Sequence, residues 1–218
     1  MNFTINHLYH IYNRGNNSDK VFYKHENYLY FLEKIKTYIL PYTDILAWCL
    51  MPNHFHLMVR VNCIELPVIT QSDILGHNIL VSTGNVKSFS NYDIKSQRNL
   101  NQSIGILLRS YTNAIQKQEG RTGSLFQSKT KAICLSNNRI DNINNDFKKI
   151  DSEYKFENSE NNYAKTCFDY IHQNPVKAGL VKNCEDWGYS SFQEYEKISP
   201  NNLVNLSLAK ELGLWQWQ

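Results

Sequence analysis

Residues 44–61 constrain the fold of this chain more than any other stretch. Two apolar runs flank a short polar break at Pro52-Asn53, and this pattern predicts a β-hairpin. Side chains at alternate positions of a strand point to opposite faces of a sheet. His54 and His56 are therefore predicted to lie together on one face. Three apolar side chains of the same strand are predicted to face a core on the other side: Phe55, Leu57 and Val59.

A pair of histidines on one strand face is suited to a divalent metal ion. Neutral imidazole binds first-row divalent metals, and the remaining coordination positions are open to a phosphate oxygen. A pair of ordinary surface histidines has the same spacing. Spacing alone therefore leaves two interpretations of His54 and His56, a metal site and a surface pair.

Hydrophobic periodicity predicts the other elements of the chain. In chain order they are a strand at 7–13, a helix at 26–40, strands at 43–50 and 54–61, a helix at 101–118, a strand at 130–135 and a helix at 163–174. Pro175 is predicted to stop or kink the last helix. This order is that of a ferredoxin-like, RRM-like α+β fold, the split βαβ plan. It predicts an antiparallel sheet with helices on one face. The opposite face is left open for nucleic acid, with the helix at 163–174 brought against it.

Length and composition predict a single domain with extensions. The chain has 218 residues, 42% of them hydrophobic, which is enough for a sizeable core. We expect one catalytic domain over 1–195, insertions at about 62–100 and 136–162, and a tail helix within 196–218. No apolar run is long enough to span a membrane, and the first residues do not resemble a signal peptide. Five scattered cysteines fit neither a zinc site nor a disulfide framework, so a cytoplasmic location is expected.

The basic residues are concentrated in one segment. The formal charge of the whole chain is only +3, but residues 109–131 carry five basic side chains against one acidic one. Basic side chains beside aromatic ones suit single-stranded nucleic acid, through phosphate contacts and base stacking. Arg121, Lys129 and Lys131 are predicted to contact DNA, while Phe126 is predicted to pack in the core. Arg14, in the turn after the first strand, is a further candidate for a phosphate contact.

Several stretches resemble a known family. Leu-Met-Pro-Asn-His-Phe-His-Leu-Met-Val at 50–59 resembles the signature of single-tyrosine HUH transposases, the insertion-sequence-200-like family, and most closely its REP-associated tyrosine transposase subgroup. The turn at 13–16, the segment at 121–126, the Tyr-Ile-x-x-Asn-Pro-Val-x-Ala-Gly-Leu-Val stretch at 170–181 and the segment at 186–195 extend the likeness. Residues 127–130 depart from it, with Gln-Ser-Lys-Thr where the subgroup has Glu-Gly-Arg-Tyr.

The resemblance implies a function. It makes Tyr170 the nucleophile that cleaves single-stranded, hairpin-containing DNA and leaves a 5′-phosphotyrosine. His54 and His56 would hold Mg²⁺ or Mn²⁺, and Asn174 stands where related enzymes have a longer Gln as third metal ligand. Lys177, in the same segment, is expected to contact DNA. The enzyme would act in the bacterial cytoplasm, associated with the nucleoid, as a monomer or a homodimer with its active site formed in cis or in trans.

Alternatives stay open at this point. Tyr111 is the rival nucleophile, because its helix also precedes a basic segment. His172 and Gln173 are fallback metal ligands on other faces of the tyrosine helix. Two other functional classes fit the same residues: a non-catalytic single-stranded nucleic-acid binder descended from a transposase, and a metal-dependent nuclease that uses water.

Overall fold

Four antiparallel strands form the sheet of the computed structural model, which describes residues 1–66, 98–136, 163–197 and 202–216. They are β1 (Leu8–Arg14), β2 (Thr43–Met51), β3 (His54–Val61) and β4 (Lys131–Cys134). The strands lie in the order β2-β3-β1-β4, and every pairing is antiparallel. This is the strand order of the split βαβ plan, so the predicted ferredoxin-like α+β fold is confirmed.

Five α-helices accompany the sheet in the described ranges. They are α1 (His25–Tyr38), α2 (Leu100–Glu119), α3 (Tyr163–Lys177), α4 (Phe192–Tyr195) and α5 (Leu206–Glu211). None of the described helices combines the length and the apolar character that crossing a membrane requires. Most of the two predicted insertions, residues 67–97 and 137–162, lies outside the described residues.

One face of the sheet, called here the core face, packs against α1 and α2. The side chains of β3 that point to it are those predicted from the alternating pattern, and they are buried. The same cluster contains Phe31 and Ile35 of α1, and Ile104 and Tyr111 of α2. Burial of so many large apolar and aromatic side chains is the main source of the fold's stability.

The opposite face of the sheet, called here the histidine face, is covered in part. Helix α3 packs over β2 and β3, with Cys167, Phe168 and Ile171 buried against Leu46 and Met58. The tyrosine helix is thus brought against this face of the sheet, as predicted, and it covers the part over β2 and β3. The cause is the apolar stripe on α3, which is buried against the sheet as the core helices are.

Helix α3 does not stop at Pro175 as predicted but continues to Lys177. Pro175 lacks a backbone N–H but lies close to the end of the helix, where only one internal hydrogen bond is lost. The residue that terminates the helix is Gly179, which lies just beyond Lys177 and has a φ of 67°. The Gly179 N–H donates to Val176 O, and the Leu180 N–H donates to Pro175 O. These two bonds form a Schellman motif, and the longer helix brings Lys177 onto the face that carries Tyr170.

The segment that follows α3 is hydrogen-bonded to β2. The buried Glu194 accepts a hydrogen bond from Trp48 Nε1 through Oε1, and its Oε2 accepts from the backbone N–H groups of Leu203 and Val204. Within the predicted tail 196–218 the described helix is only α5. Its residues Leu208 and Ala209 are buried in the cluster that contains α3.

Gly15 occupies a tight turn beside the β2–β3 hairpin. Its N–H donates to Asn53 O at 2.7 Å, and a Cβ at this position would lie 2.0 Å from Asp19 O. We expect Gly15→Ala to lower the free energy of unfolding by about 1–3 kcal/mol or more, because the backbone of the turn must shift. Gly105→Ala is the matched control: its Cβ would meet nothing within 4 Å, and a helix interior gains about 1 kcal/mol from Ala. Urea unfolding of both variants tests the contrast, and a fully stable Gly15→Ala protein would contradict the close approach.

Candidate functional site

The histidine face carries a row of polar side chains across three strands. His56 of β3 pairs with Tyr12 of β1, and Tyr12 pairs with Lys131 of β4. Two residues along the same strands, His54 pairs with Arg14. Directly paired residues of neighbouring strands point to the same face. These five side chains therefore share one surface, although they come from distant parts of the sequence.

His56 is fixed by another histidine. Its Nδ1 lies 2.8 Å from Nε2 of His10, and the two rings are stacked with centroids 5.0 Å apart. Both side chains are buried, with exposed fractions of 1% for His56 and 0% for His10. The orientation of the His56 ring is therefore set by β1.

His54 is fixed in a similar way at the edge of the site. Its Nδ1 lies 2.6 Å from Asn53 Oδ1, and because the amide oxygen only accepts, the ring nitrogen carries the proton. The remaining nitrogen of this ring is Nε2. His54 is half-buried, and its ring centroid lies 4.9 Å from that of His56.

Asn174 connects α3 to both histidines. Its Nδ2 lies 3.2 Å from His56 Nε2, and its proximity to His54 partly offsets the fall in the pKa of that imidazole. The side chain is shorter than the Gln of the resembled enzymes, but it reaches the histidines because α3 packs directly on the sheet. His54, His56 and Asn174 thus meet at one point, as the motifs predicted. Metal binding by these three residues stays a prediction.

The histidines of the site are neutral at pH 7. Burial, with a smaller contribution from the charge of His54, lowers the pKa of His10 to about 3. Burial also lowers the pKa of His54 to about 4, and Arg14 adds to this effect. The pKa of His56 lies well below its usual range, again mainly through burial. A neutral imidazole keeps one nitrogen lone pair available to a ligand.

The proton positions leave the site suited to a cation. Asn174 Nδ2 is a donor, so we assign a lone pair to His56 Nε2 and the ring proton to His56 Nδ1, which donates to His10 Nε2. His54 likewise has its proton on Nδ1. Each histidine then presents Nε2 with its other nitrogen hydrogen-bonded, as metal-bound histidines do. Within the described ranges no three His, Cys, Asp or Glu side chains form a metal-binding group. The Asn174 amide, which lies against His56, is the side chain predicted above as the third ligand. Two imidazoles and an amide oxygen fit a divalent ion such as Mn²⁺.

Tyr170 lies beside the histidines, one helical turn before Asn174. Its ring makes edge contacts with His56 and His10, at centroid distances of 5.5 Å and 6.3 Å. Lys177 Nζ lies 5.8 Å from the centre of the Tyr170 ring. The side chain is only 3% exposed. The structure thus brings together the tyrosine and the two histidines that the motifs singled out.

Three residues considered as alternatives lie away from this point. Tyr111 is fully buried on the core face, where its OH donates to Val21 O at 2.7 Å and burial raises its pKa. His172 is buried against Ser191, with its Nε2 2.7 Å from Ser191 Oγ. Gln173 is exposed on α3. None of these three joins His54 and His56, although all three lie in described parts of the chain.

The predicted DNA contacts divide into two groups. Arg14 pairs with His54, Lys131 pairs with Tyr12, and Lys177 lies near the Tyr170 ring. Arg121 instead forms an ion pair with Asp19 at 3.3 Å and donates to the Tyr23 hydroxyl. Lys129 is exposed in the segment before β4.

Phe126 is 5% exposed and belongs to the cluster on the core face. The prediction that this ring packs in the core is confirmed.

His10 is the residue of the site that the sequence reasoning missed. A signal was present, because His10 and Tyr12 alternate along β1 as His54 and His56 do along β3. The split βαβ plan makes β1 and β3 neighbours. Combining the alternation with that adjacency places the two pairs on one face.

The buried histidines predict that stability falls in acid. Burial, with the charge of Lys165 as a smaller cause, lowers the pKa of His172 to about 3. The unfolded chain then binds a proton below pH 6.5 that the folded protein does not bind, so stability is lost as the pH falls from 6.5 toward 3. His172 alone contributes up to about 2 kcal/mol of this loss between pH 6.5 and 5.

Urea unfolding at a series of pH values measures the effect. His172→Gln removes one titrating group, and we expect a pH dependence that is shallower by close to one proton. An unchanged slope would show that His172 is charged in the folded protein.

Comparison with solved structures found a match, while no protein-family model and no curated protein matches the chain. A solved structure of a REP-associated tyrosine transposase bound to a REP hairpin matches with a TM-score of 0.49 and 13% sequence identity, over 100% of this chain and 93% of that one. At this identity and TM-score the likeness says nothing about the chemistry of the site. Membership of the family resembled by the motifs stays a prediction.

Proposed function

We propose that this protein is a DNA strand transferase that nicks and rejoins single-stranded, hairpin-containing DNA through Tyr170. The observation that carries the proposal is the meeting of two distant motifs. His56 and Asn174 are 118 residues apart in sequence, yet their side chains lie 3.2 Å apart. Tyr170 packs against the same histidine. A nucleophile next to a candidate cation site is the arrangement that phosphodiester transfer by a side chain requires.

The proposed reaction exchanges one phosphodiester bond for another. The Tyr170 oxygen attacks the phosphorus, a Tyr–O–P bond forms, and the bond from phosphorus to the 3′-oxygen breaks. The phenolic proton is lost and the leaving 3′-oxygen gains one, so a free 3′-hydroxyl and a 5′-phosphotyrosine result. The reverse step with another 3′-hydroxyl rejoins the strand. No ATP is needed, because the covalent link keeps the energy of the phosphodiester.

His54, His56 and Asn174 are the residues that would hold Mg²⁺ or Mn²⁺. Such an ion, when bound, offsets the negative charge of a phosphate. The protein's own contribution is to keep both histidines neutral and oriented, through burial and through the hydrogen bonds of Asn53 and His10. Exclusion of water around Tyr170 and His56 strengthens the electrostatic interactions at this point.

Positive side chains around the site supply binding to the DNA backbone. Arg14 adjoins His54 on the sheet, Lys131 lies at the β4 edge, and Lys177 lies near the Tyr170 ring. Single strands bind to such surfaces mainly through phosphate charge, with affinity that falls as salt increases. The charge arrangement favours a strand that runs across β4 and β1 toward α3.

The test is a covalent capture assay. Hairpin-containing oligonucleotides from the DNA flanking the gene, labelled at either the 5′ or the 3′ end, are incubated with protein and Mn²⁺ and run on a denaturing gel. We expect an SDS-resistant complex that retains only the 3′ label, because the protein remains on the 5′-phosphate.

Other outcomes identify other functions. Cleavage without a covalent complex would mean hydrolysis by water. Binding that is unaffected by EDTA, with no cleavage of any flanking hairpin, would mean a non-catalytic nucleic-acid binder.

A further inference from the structure

We infer that His10 is a positioning residue of the candidate metal centre, which holds His56 in the tautomer that presents Nε2 to the cation. The inference rests on the proposed function, and concerns a residue outside every motif considered above. His10 lies on β1, while the candidate ligands lie on β3 and α3. Its Nε2 forms a hydrogen bond with His56 Nδ1, at 2.8 Å.

A hydrogen bond between two neutral imidazoles has one proton and two possible arrangements. If His10 donated it, His56 would carry its own proton on Nε2, which would block the atom that faces Asn174. If His56 donates from Nδ1, its Nε2 keeps a lone pair for a cation. The orientation of the Asn174 amide, with Nδ2 placed 3.2 Å from His56 Nε2, agrees with the second arrangement, in which His10 carries its own proton on Nδ1.

His10 is itself held in a fixed position. The side chain is completely buried, and the rings of Tyr12, His56 and Tyr170 surround it at centroid distances of 4.9, 5.0 and 6.3 Å. A buried ring in such a packed environment has a single orientation. Because its Nε2 is turned toward His56, His10 orients a ligand and is not a ligand through this atom.

Each of the two histidines of β3 thus has a hydrogen-bond acceptor for its Nδ1 proton, but the two acceptors differ in residue type. Asn53, in the half-buried hairpin turn, accepts the Nδ1 proton of His54. His10, on the fully buried part of β1, accepts the Nδ1 proton of His56. Partners of this kind typically change metal affinity by about 10- to 100-fold when removed. The support of His56 is buried, so water does not replace it when it is lost.

Two substitutions separate positioning from packing. His10→Phe keeps a ring of similar size and removes the acceptor. His10→Gln places an amide oxygen near the position of Nε2 and restores an acceptor. Mn²⁺ binding is measured by titration calorimetry on the whole protein without DNA, with His56→Ala as the reference for a lost ligand, and thermal unfolding confirms that each variant is folded.

We expect His10→Phe to weaken Mn²⁺ binding about 10- to 100-fold and His10→Gln to recover most of the loss. In the unsubstituted protein, nitrogen-15 NMR of the histidine rings should find the proton of His56 on Nδ1. Wild-type Mn²⁺ affinity in His10→Phe would overturn the inference. A proton on Nε2 of His56 would also overturn it, and this NMR result does not depend on the stability of His10→Phe. If the unsubstituted protein bound Mn²⁺ as weakly as His56→Ala does, the metal centre of the proposed function would be overturned. The inference about His10 would fall with it.

Discussion

Tyr170→Phe is expected to abolish strand cleavage and the SDS-resistant complex while DNA binding is retained. The substitution removes the attacking oxygen and keeps the ring that packs on His56 and His10. Loss of a covalent nucleophile commonly costs on the order of 10⁴-fold or more in rate. The measurement is cleavage of an end-labelled hairpin oligonucleotide in Mn²⁺, together with a filter-binding titration of the same DNA.

Tyr111→Phe is the matched control for this experiment. It makes the same chemical change at a buried tyrosine of the core face, where the hydroxyl donates to Val21 O. We expect full cleavage and a loss of about 1–3 kcal/mol in stability, because a buried carbonyl loses its partner. Cleavage that survives in Tyr170→Phe but not in Tyr111→Phe would assign the nucleophile to Tyr111.

His56→Ala is expected to remove metal-dependent cleavage and to weaken Mn²⁺ binding by more than about 100-fold. Removal of a ligand's hydrogen-bonding partner lowers metal affinity by about 10- to 100-fold. Removal of the ligand itself should lower the affinity further. The side chain is buried between His10, Asn174 and Tyr170, so the cavity also lowers stability. Metal titration and cleavage are therefore measured well below the melting temperature of the variant.

His25→Ala is a suitable comparison, because this histidine lies at the start of α1 and bonds to the Tyr189 hydroxyl, away from the candidate metal centre. We expect it to bind Mn²⁺ and to cleave DNA as the unsubstituted protein does. Equal cleavage by His56→Ala and His25→Ala would exclude His56 from the reaction.

The strands and helices could be predicted from the sequence because the signals that specify them, apolar periodicity and turn residues, lie within each element. β3 spans His54–Val61, the range that the alternating pattern predicted, and the polar break fixes its start. The end of α3 was predicted three residues too early. Pro175 is a strong breaker in the middle of a helix, but near the end of α3 it costs little. The stop signal was the glycine at 179.

The parts of the site that escaped prediction depend on contacts between distant segments. His10 acquires its role only because β1 lies next to β3. Arg121 resembles a free DNA-binding side chain in sequence, but its carboxylate partner Asp19 is 102 residues away. The reach of Asn174 depends on how closely α3 approaches the sheet, which no spacing in the sequence specifies.

The alternation of side chains along β3 divides one strand between core packing and the proposed chemistry. Phe55, Leu57 and Val59 support the core, while His54 and His56 point to the opposite side. Under the proposed function, a lineage that loses the two histidines therefore keeps the core face that stabilises the sheet and the basic side chains that bind DNA, although the cavity left by the buried His56 makes the protein less stable. Such a descendant would bind nucleic acid without cleaving it.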